Sequence, residues 1–498
     1  MTTFSAKTPK ISMKPILVVF ALGMLFAANS VILFPAHAAT VSFTAPINLS
    51  NDSGKAKQPA VSNNGQNVYI AWTEGSSGIR FRASSDGGLT WNPPTSLRAM
   101  RLGPTTGSAQ FPVMIAADGY QPVALGDVYV AWAQTVSGVL QIFIASSTNN
   151  GSSFTTVQIS AGGGITPALA GWGHDAYVSW YQSANCPGRN GSGCIWVSSS
   201  NNDGGTWSTP VELFASFAGE QQIVAWQHNV YLVADGVDFT ASYNDGLNWT
   251  TPIVLYGVYL YGSGCVTFSS PCVYSVGREP WIAASGLNVY VTFNAIDLAS
   301  PPNASGIGSS KPVYRIYGLY SSDGGATWNP TTPIIDPASQ SKYQLSGTLK
   351  NDWEPENIAF NSSTSTLAIL TFHSVSNQGI YTITSTNGGT SWSSPKIVNP
   401  TGRTSSFAHV FTSDGTDVFV MWGQKISSSS SVWNAYIVYS GDSGTTWTSP
   451  IDISNNPVGV AAGNQDVTLI ALSANGIHCF AAWTYTNGSS SQIYFSAS

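Results

Sequence analysis

Two short segments, Arg278-Glu279-Pro280-Trp281 and Trp353-Glu354-Pro355-Glu356, stand out in a chain of 498 residues of which only 8% are charged. Each sets a carboxylate just before a proline that opens an apolar, strand-like stretch. Comparable links contribute Arg101 with Gln110, Glu220 with Gln221, Asp352, Arg403 with His409, and Gln465 with Asp466. Guanidinium groups grip carboxylates with two parallel hydrogen bonds, and carboxylates bind hydroxyls or move protons. A glycan or an acidic sugar is the ligand such groups suit. The competing reading is structural: carboxylates at strand ends hydrogen-bond to neighbouring loops and do nothing more.

Other chemistries find less support. The chain has no GxSxG elbow, no HExxH pair and no Walker loop. Its six histidines are scattered, and His409 reads as a satisfied polar residue rather than a metal ligand. No metal site follows from spacing. Calcium is the cation the acidic links would suit, although nothing in their spacing demands it. Cys186 and Cys194 bracket one Gly-rich loop and Cys265 and Cys272 another, which predicts two local disulfides, while Cys479 sits in an apolar run as a buried thiol.

The elements that position these residues are legible from a repeat. Ser84-Ser-Asp86-Gly-Gly88-Leu-Thr90-Trp91 recurs at Ser321 to Trp328, around Asp323, and at Ser440 to Trp447, around Asp442. Four weaker copies start at Ser147, Ser200, Ser242 and Ser385, with Asn149, Asn202, Asn244 and Asn387 in place of Asp. A strand leads into each copy and a short strand follows, so the motif is a hairpin turn. Its Asp or Asn accepts backbone N–H groups, its Gly takes positive φ, and its aromatic covers the hairpin. Two more strands precede each copy, as in Pro59 to Ser62 with Val68 to Trp72. Four strands per unit make a propeller blade, and no segment shows the period a long helix needs.

This repeat resembles the Asp-box, or BNR, repeat of the sialidase superfamily, over essentially the whole chain beyond its first 38 residues. The resemblance implies an all-β, single-domain propeller of four-stranded antiparallel blades. Residues 465 to 498 supply three strands and stop where a turn motif would begin. The segment from Val41 to Leu49 reads like the strand after a turn, with Phe43 in the aromatic's place, so it should complete the last blade and close the ring. Seven turns and one blade closed in this way give eight blades; seven is the alternative, if residues 219 to 256 fall short of a full blade.

In propellers of this family the turn motifs lie opposite the usual active site. The resemblance therefore makes the seven Asp or Asn residues structural and places function on the links into the innermost strands, which would ring the channel mouth. Sialidases use three arginines, a Tyr–Glu nucleophile and an Asp. Arg101, Arg278 and Arg403 could form such a triad among only eight arginines, but no sialidase catalytic residue can be carried over by motif. The loop with Tyr256, Tyr259 and Tyr261 ahead of Cys265 offers a second, stacking route to sugars, or equally reads as a packed, disulfide-tied flap.

Lys7, Lys10 and Lys14 precede an apolar run that ends at Ala36-His37-Ala38, which predicts a signal peptide over residues 1–38, with an uncleaved anchor as the rival reading. Removing those three lysines from 18 basic residues leaves 15 against 24 acids, a formal charge of −9. Nucleic acid is an unsuitable partner for such a surface. These features together point to a secreted or cell-surface monomer, without a transmembrane helix after residue 38, that binds a glycan or a cell-surface protein. The alternatives are a sialidase-like exo-glycosidase and a structural component of the cell envelope.

Overall fold

The computed structural model describes residues 41–498 except 52–54, 76–77, 93–99, 103–108, 118–125, 184–185, 187–192, 217–218, 257, 261–271, 275–277, 297–313, 330–351, 361–367, 375–378, 388–390, 400–404, 427–431, 455–464 and 488. Only the backbone is described for 100–102, 109–113, 117, 258–260, 272–274, 278, 296, 314–315, 352–360, 368–374, 405–409, 465–469 and 487. The expected signal segment and Arg403 lie outside the described residues. Residues Ala38–Ser498 form one compact unit.

The described chain is all-β, a β-propeller of antiparallel sheets without a helix. The first sheet joins Ala56–Asn64, Asn67–Glu74, Ile79–Ser84 and Met100–Leu102 in chain order, and seven further sheets follow its plan, five of them as full four-strand meanders in chain order. One of those sheets, the fifth, shows three strands, Arg278–Ser285, Asn288–Ile296 and Tyr314–Ser321, extended by a single bridge between Tyr320 and Asn329. Gln222–Trp226, Asn229–Ala234, Asp238–Ser242 and Ile253–Val254 form a full sheet, so the unit from 219 to 256 is complete. A two-stranded ribbon, Val258–Leu260 with Cys272–Tyr274, stands apart.

First strands pack on first strands in chain order, and Gln465–Asn475 of the last sheet packs on Ala56–Asn64 of the first. The last sheet takes its fourth strand, Ile47–Asn48, from the N-terminal side, with Ile47 opposite Phe495 and Asn48 opposite Tyr494. Second strands carry the deepest core, including Trp72, Trp132, Trp180, Trp422 and Trp483, because alternate side chains on both faces meet a neighbouring sheet.

The turn motifs fasten every sheet but the last by one pattern. Ser84, 4% exposed, donates its hydroxyl to Asp86 and accepts the Gly88 N–H at 2.8 Å; Asp86 accepts the Thr90 N–H at 2.8 Å and the Thr90 hydroxyl at 2.6 Å. Asp323 and Asp442 repeat this with Thr327 and Thr446. In the weaker copies Asn149, Asn202, Asn244 and Asn387 accept the same backbone N–H at 2.9 Å. Each described turn also bonds back to the hairpin between its own first and second strands, as Gly87 N–H to Gln66 O and Ser443 N–H to Thr416 O, both at 2.9 Å. Those two sets of hairpins therefore share one face.

The motif's Gly and aromatic reach further than their own hairpin. A Cβ on Gly88 would lie 2.3 Å from the Phe495 ring, and one on Gly325 the same distance from Phe239, each on the preceding sheet. Trp91 packs edge-on against Phe495 and Trp328 against Phe239, with centroids 4.9 Å apart. The turn thus seats one blade on the last.

Candidate functional site

The face opposite the turns is formed where first strands begin, and there the ladders are interrupted. Lys57 pairs with Thr73 and Ala60 with Ala71, so Gln58 and Pro59 stand against the single residue Trp72. Thr166-Pro167 stands in the same way against Trp180, and Glu279-Pro280 against Phe293. These are β-bulges, which re-aim side chains. Gln58, Thr166 and Glu279 have φ of 55°, 47° and 51°. Left-handed backbone is disfavoured for such residues, and a following proline favours extended conformations instead. Each costs on the order of 1–3 kcal/mol and persists only where surrounding contacts hold it.

The link before the fourth sheet supplies part of that hold. Gln221, 3% exposed, donates its side-chain N–H to the Thr166 carbonyl on the third sheet. Its neighbour Glu220 accepts the Glu279 backbone N–H at 3.2 Å on the fifth. The Glu279 carboxylate in turn accepts from the buried Asn294 amide at 2.6 Å. Two acidic residues from different blades thus meet at a strained bulge. Glu220 is exposed and Glu279 half-buried, so both are open to a ligand. Such carboxylates can accept hydrogen bonds from adjacent hydroxyls, that of Glu279 oriented by Asn294 and that of Glu220 by the Glu279 backbone N–H.

The other expected residues divide by position. Arg278 opens its first strand, with Asn294 as its backbone partner. Asp352, Trp353, Glu354 and Glu356 lie on Asp352–Phe360, where register shifts flank Pro355 and repeat the bulge. His409 sits opposite Trp422 and Asp466 opposite Thr486, each on the first strand of its sheet. Arg101 requires a correction: it lies in Met100–Leu102, the outer strand of the first sheet, opposite Arg80, and not in a link to the next innermost strand. Fourth strands carry few apolar positions, so their true start is poorly marked. Tyr256 takes the packed alternative, fully buried between Phe293 and Tyr317 rather than presented to a sugar.

Cys186 and Cys194 form a disulfide that ties a loop between second and third strands on this face. Pairing of Cys265 with Cys272 lies outside the described residues. Cys479 is a buried thiol whose burial pushes its pKa well up.

Sequence reasoning missed the polar groups behind the face. Trp72, Trp132 and Trp422 donate their indole N–H to Glu74, Gln134 and Gln424 at 3.0 to 3.1 Å. The recurring Trp-x-Glu/Gln in four second strands, Trp180-Tyr181-Gln182 among them, was the available signal. Among the described residues, one group of three potential metal ligands comes within reach of a single ion, and it lies on the turn face.

No family model matches the chain, and no curated protein matches it. Among solved structures, the GH93 α-L-arabinofuranosidase of Fusarium graminearum is similar at 11% identity and a TM-score of 0.41, over 76% of this chain and 92% of that one. The α-L-arabinanase of Penicillium chrysogenum follows at 10% identity and 0.41, over 83% and 99%. Trypanosoma rangeli sialidase stands at 9% identity and 0.35, over 89% and 55%. Likenesses at this level leave activity and ligand to the residues of this chain.

Proposed function

We propose that the chain is an exported Asp-box propeller, its eight sheets closed into one ring by the N-terminal strand, and that the face where first strands begin binds a glycan. The observation that carries this reading is the meeting of Glu220 and Glu279 at a bulge held in left-handed backbone. Strain of that kind clusters where a fold presents groups to a ligand. Hydroxyl-rich sugars match a rim of fixed acceptors and amides better than an apolar partner does. A disulfide on the same face fits an oxidising compartment outside the cytosol.

The test combines a glycan array with a fluorogenic sialoside assay of the chain from Ala39 onward, beside Glu279→Gln and Arg278→Ala. Glycan retention without turnover is expected, weakened about tenfold or more by Glu279→Gln, the scale of one hydrogen bond to a charged group. Turnover that Arg278→Ala abolishes would replace this reading with a sialidase-like exo-glycosidase. Retention indifferent to Glu279→Gln would move the site elsewhere on the ring.

A further inference from the structure

The face carrying the turns holds chemistry that their fastening does not use. In the third sheet the residue after Asn202 is Asp203, at φ 59°, and in the fourth the residue after Asn244 is Asp245, at φ 58°. Each donates its backbone N–H to the carbonyl of a histidine in the hairpin between first and second strands, Asp203 to His174 and Asp245 to His228, both at 3.0 Å. Each carboxylate then meets that histidine's Nδ1, at 2.5 Å for Asp203 and at 2.9 Å for Asp245. A further acid comes from the preceding sheet, next to Val128–Val136 in one case and within Asp175–Gln182 in the other. These are Asp127 and Asp175.

The two clusters differ in closeness. The donor atoms of Asp127, His174 and Asp203 all lie within 4.8 Å of one another, the one such group among the described residues. Asp127 is 2% exposed, and its Oδ2 lies 4.0 Å from His174 Nδ1, beyond hydrogen-bond reach. Bonds of about 2.0–2.2 Å from one ion to imidazole nitrogen and carboxylate oxygen set neighbouring donors roughly 3–4 Å apart. The separations of 2.5 and 4.0 Å bracket that spacing, so small side-chain movements would seat an ion between the three. His174 is 60% exposed, which leaves an entry path and room for water ligands. A mixed imidazole and carboxylate set favours zinc and its neighbours over calcium, which prefers oxygen alone.

We propose that Asp127, His174 and Asp203 form a binding site for a divalent transition-metal ion of the zinc class, on the face opposite Glu279. The site joins two neighbouring blades, since Asp127 comes from the second sheet and the other two ligands from the third. It stands independently of the glycan reading.

The experiment titrates zinc into the tag-free, chelator-treated chain from Ala39 onward, by calorimetry and by thermal melting. One equivalent should bind and raise the melting temperature. His174→Ala, at an exposed position that leaves the core closed, should remove that equivalent and the rise; Asp127→Asn should weaken binding by more than about tenfold. His228→Ala should leave the equivalent in place. Absence of a zinc equivalent, or one that His174→Ala leaves intact, or one that His228→Ala removes equally, would overturn the site.

Discussion

Asp86, Asp323 and Asp442 perform one task three times, and their ionisation records how. Burial raises each carboxyl, but hydrogen bonds from the threonine hydroxyl and amide and from the serine hydroxyl outweigh it, leaving all three below the ordinary carboxylate range. A depressed folded pKa contributes stability above the unfolded value, and that contribution is lost as pH falls through the folded one. Stability should therefore drop as pH falls below the ordinary carboxylate range, about 4. Asp86→Asn should fold, because Asn149 and Asn202 already do this work with an amide, and should flatten that part of the curve in melts recorded against pH. An unchanged acid limb would show that Asp86 does not titrate there. The serine matters more at neutral pH. Ser84→Ala leaves the buried Gly88 N–H without its acceptor, at a cost of about 1–3 kcal/mol that denaturant unfolding would read. Sequence reasoning assigned the turn to its Asp, Gly and Trp. The hydroxyl escaped notice because serine is abundant throughout and its burial is a tertiary fact.

Strand order and turn position were legible at the scale of elements because apolar stretches recur between unmistakable turns. The reach of those turns was not. An aromatic expected to cover its own hairpin does so, Trp91 donating its indole N–H to the Gly88 carbonyl at 3.0 Å, and it also packs on the sheet before it, against Phe495, where the nearby glycine must stay bare for that approach. Gly88→Ala should cost about 2 kcal/mol or more, combining a Cβ pressed on the Phe495 ring with a φ of 89° that alanine resists. Gly286→Ala is a useful comparison, since its Cβ would meet nothing within 4 Å at φ 62°. Equal losses in the two would assign the whole effect to backbone and none to the blade contact. The bulges were hidden for a different reason. A residue before proline reads as extended, so nothing local in Gln58-Pro59, Thr166-Pro167 or Glu279-Pro280 announces left-handed backbone. The aromatic opposite each one, and the link at Glu220 and Gln221, hold a conformation the local sequence opposes. Arg101 was misplaced because an outer strand of three residues has little pattern to mark it.

The whole molecule depends on the segment expected to complete the last sheet. Thr44 N–H bonds to Ala497 O and Leu49 N–H to Ile493 O, both at 2.8 Å, while Ser50 accepts the Ile493 N–H at 3.0 Å. Leu49 is fully buried, and Phe43 packs into the cluster between the seventh and eighth sheets, as the turn aromatics do elsewhere. Residues 41–50 thus tie the start of the chain to its end across the join where Gln465–Asn475 meets Ala56–Asn64. Removing them would bare the edge of Ser490–Ala497, a row of unpaired backbone groups that invites another chain. Loss of Leu49 burial alone costs about 2 kcal/mol. A chain lacking residues 41–50 should therefore melt lower and associate with rising concentration in light scattering. A synthetic peptide of those ten residues should restore both properties, because the pairing needs no covalent link. If the shortened chain stays monomeric and melts unchanged, sheet-to-sheet packing alone holds the molecule and the N-terminal strand is an ornament to it.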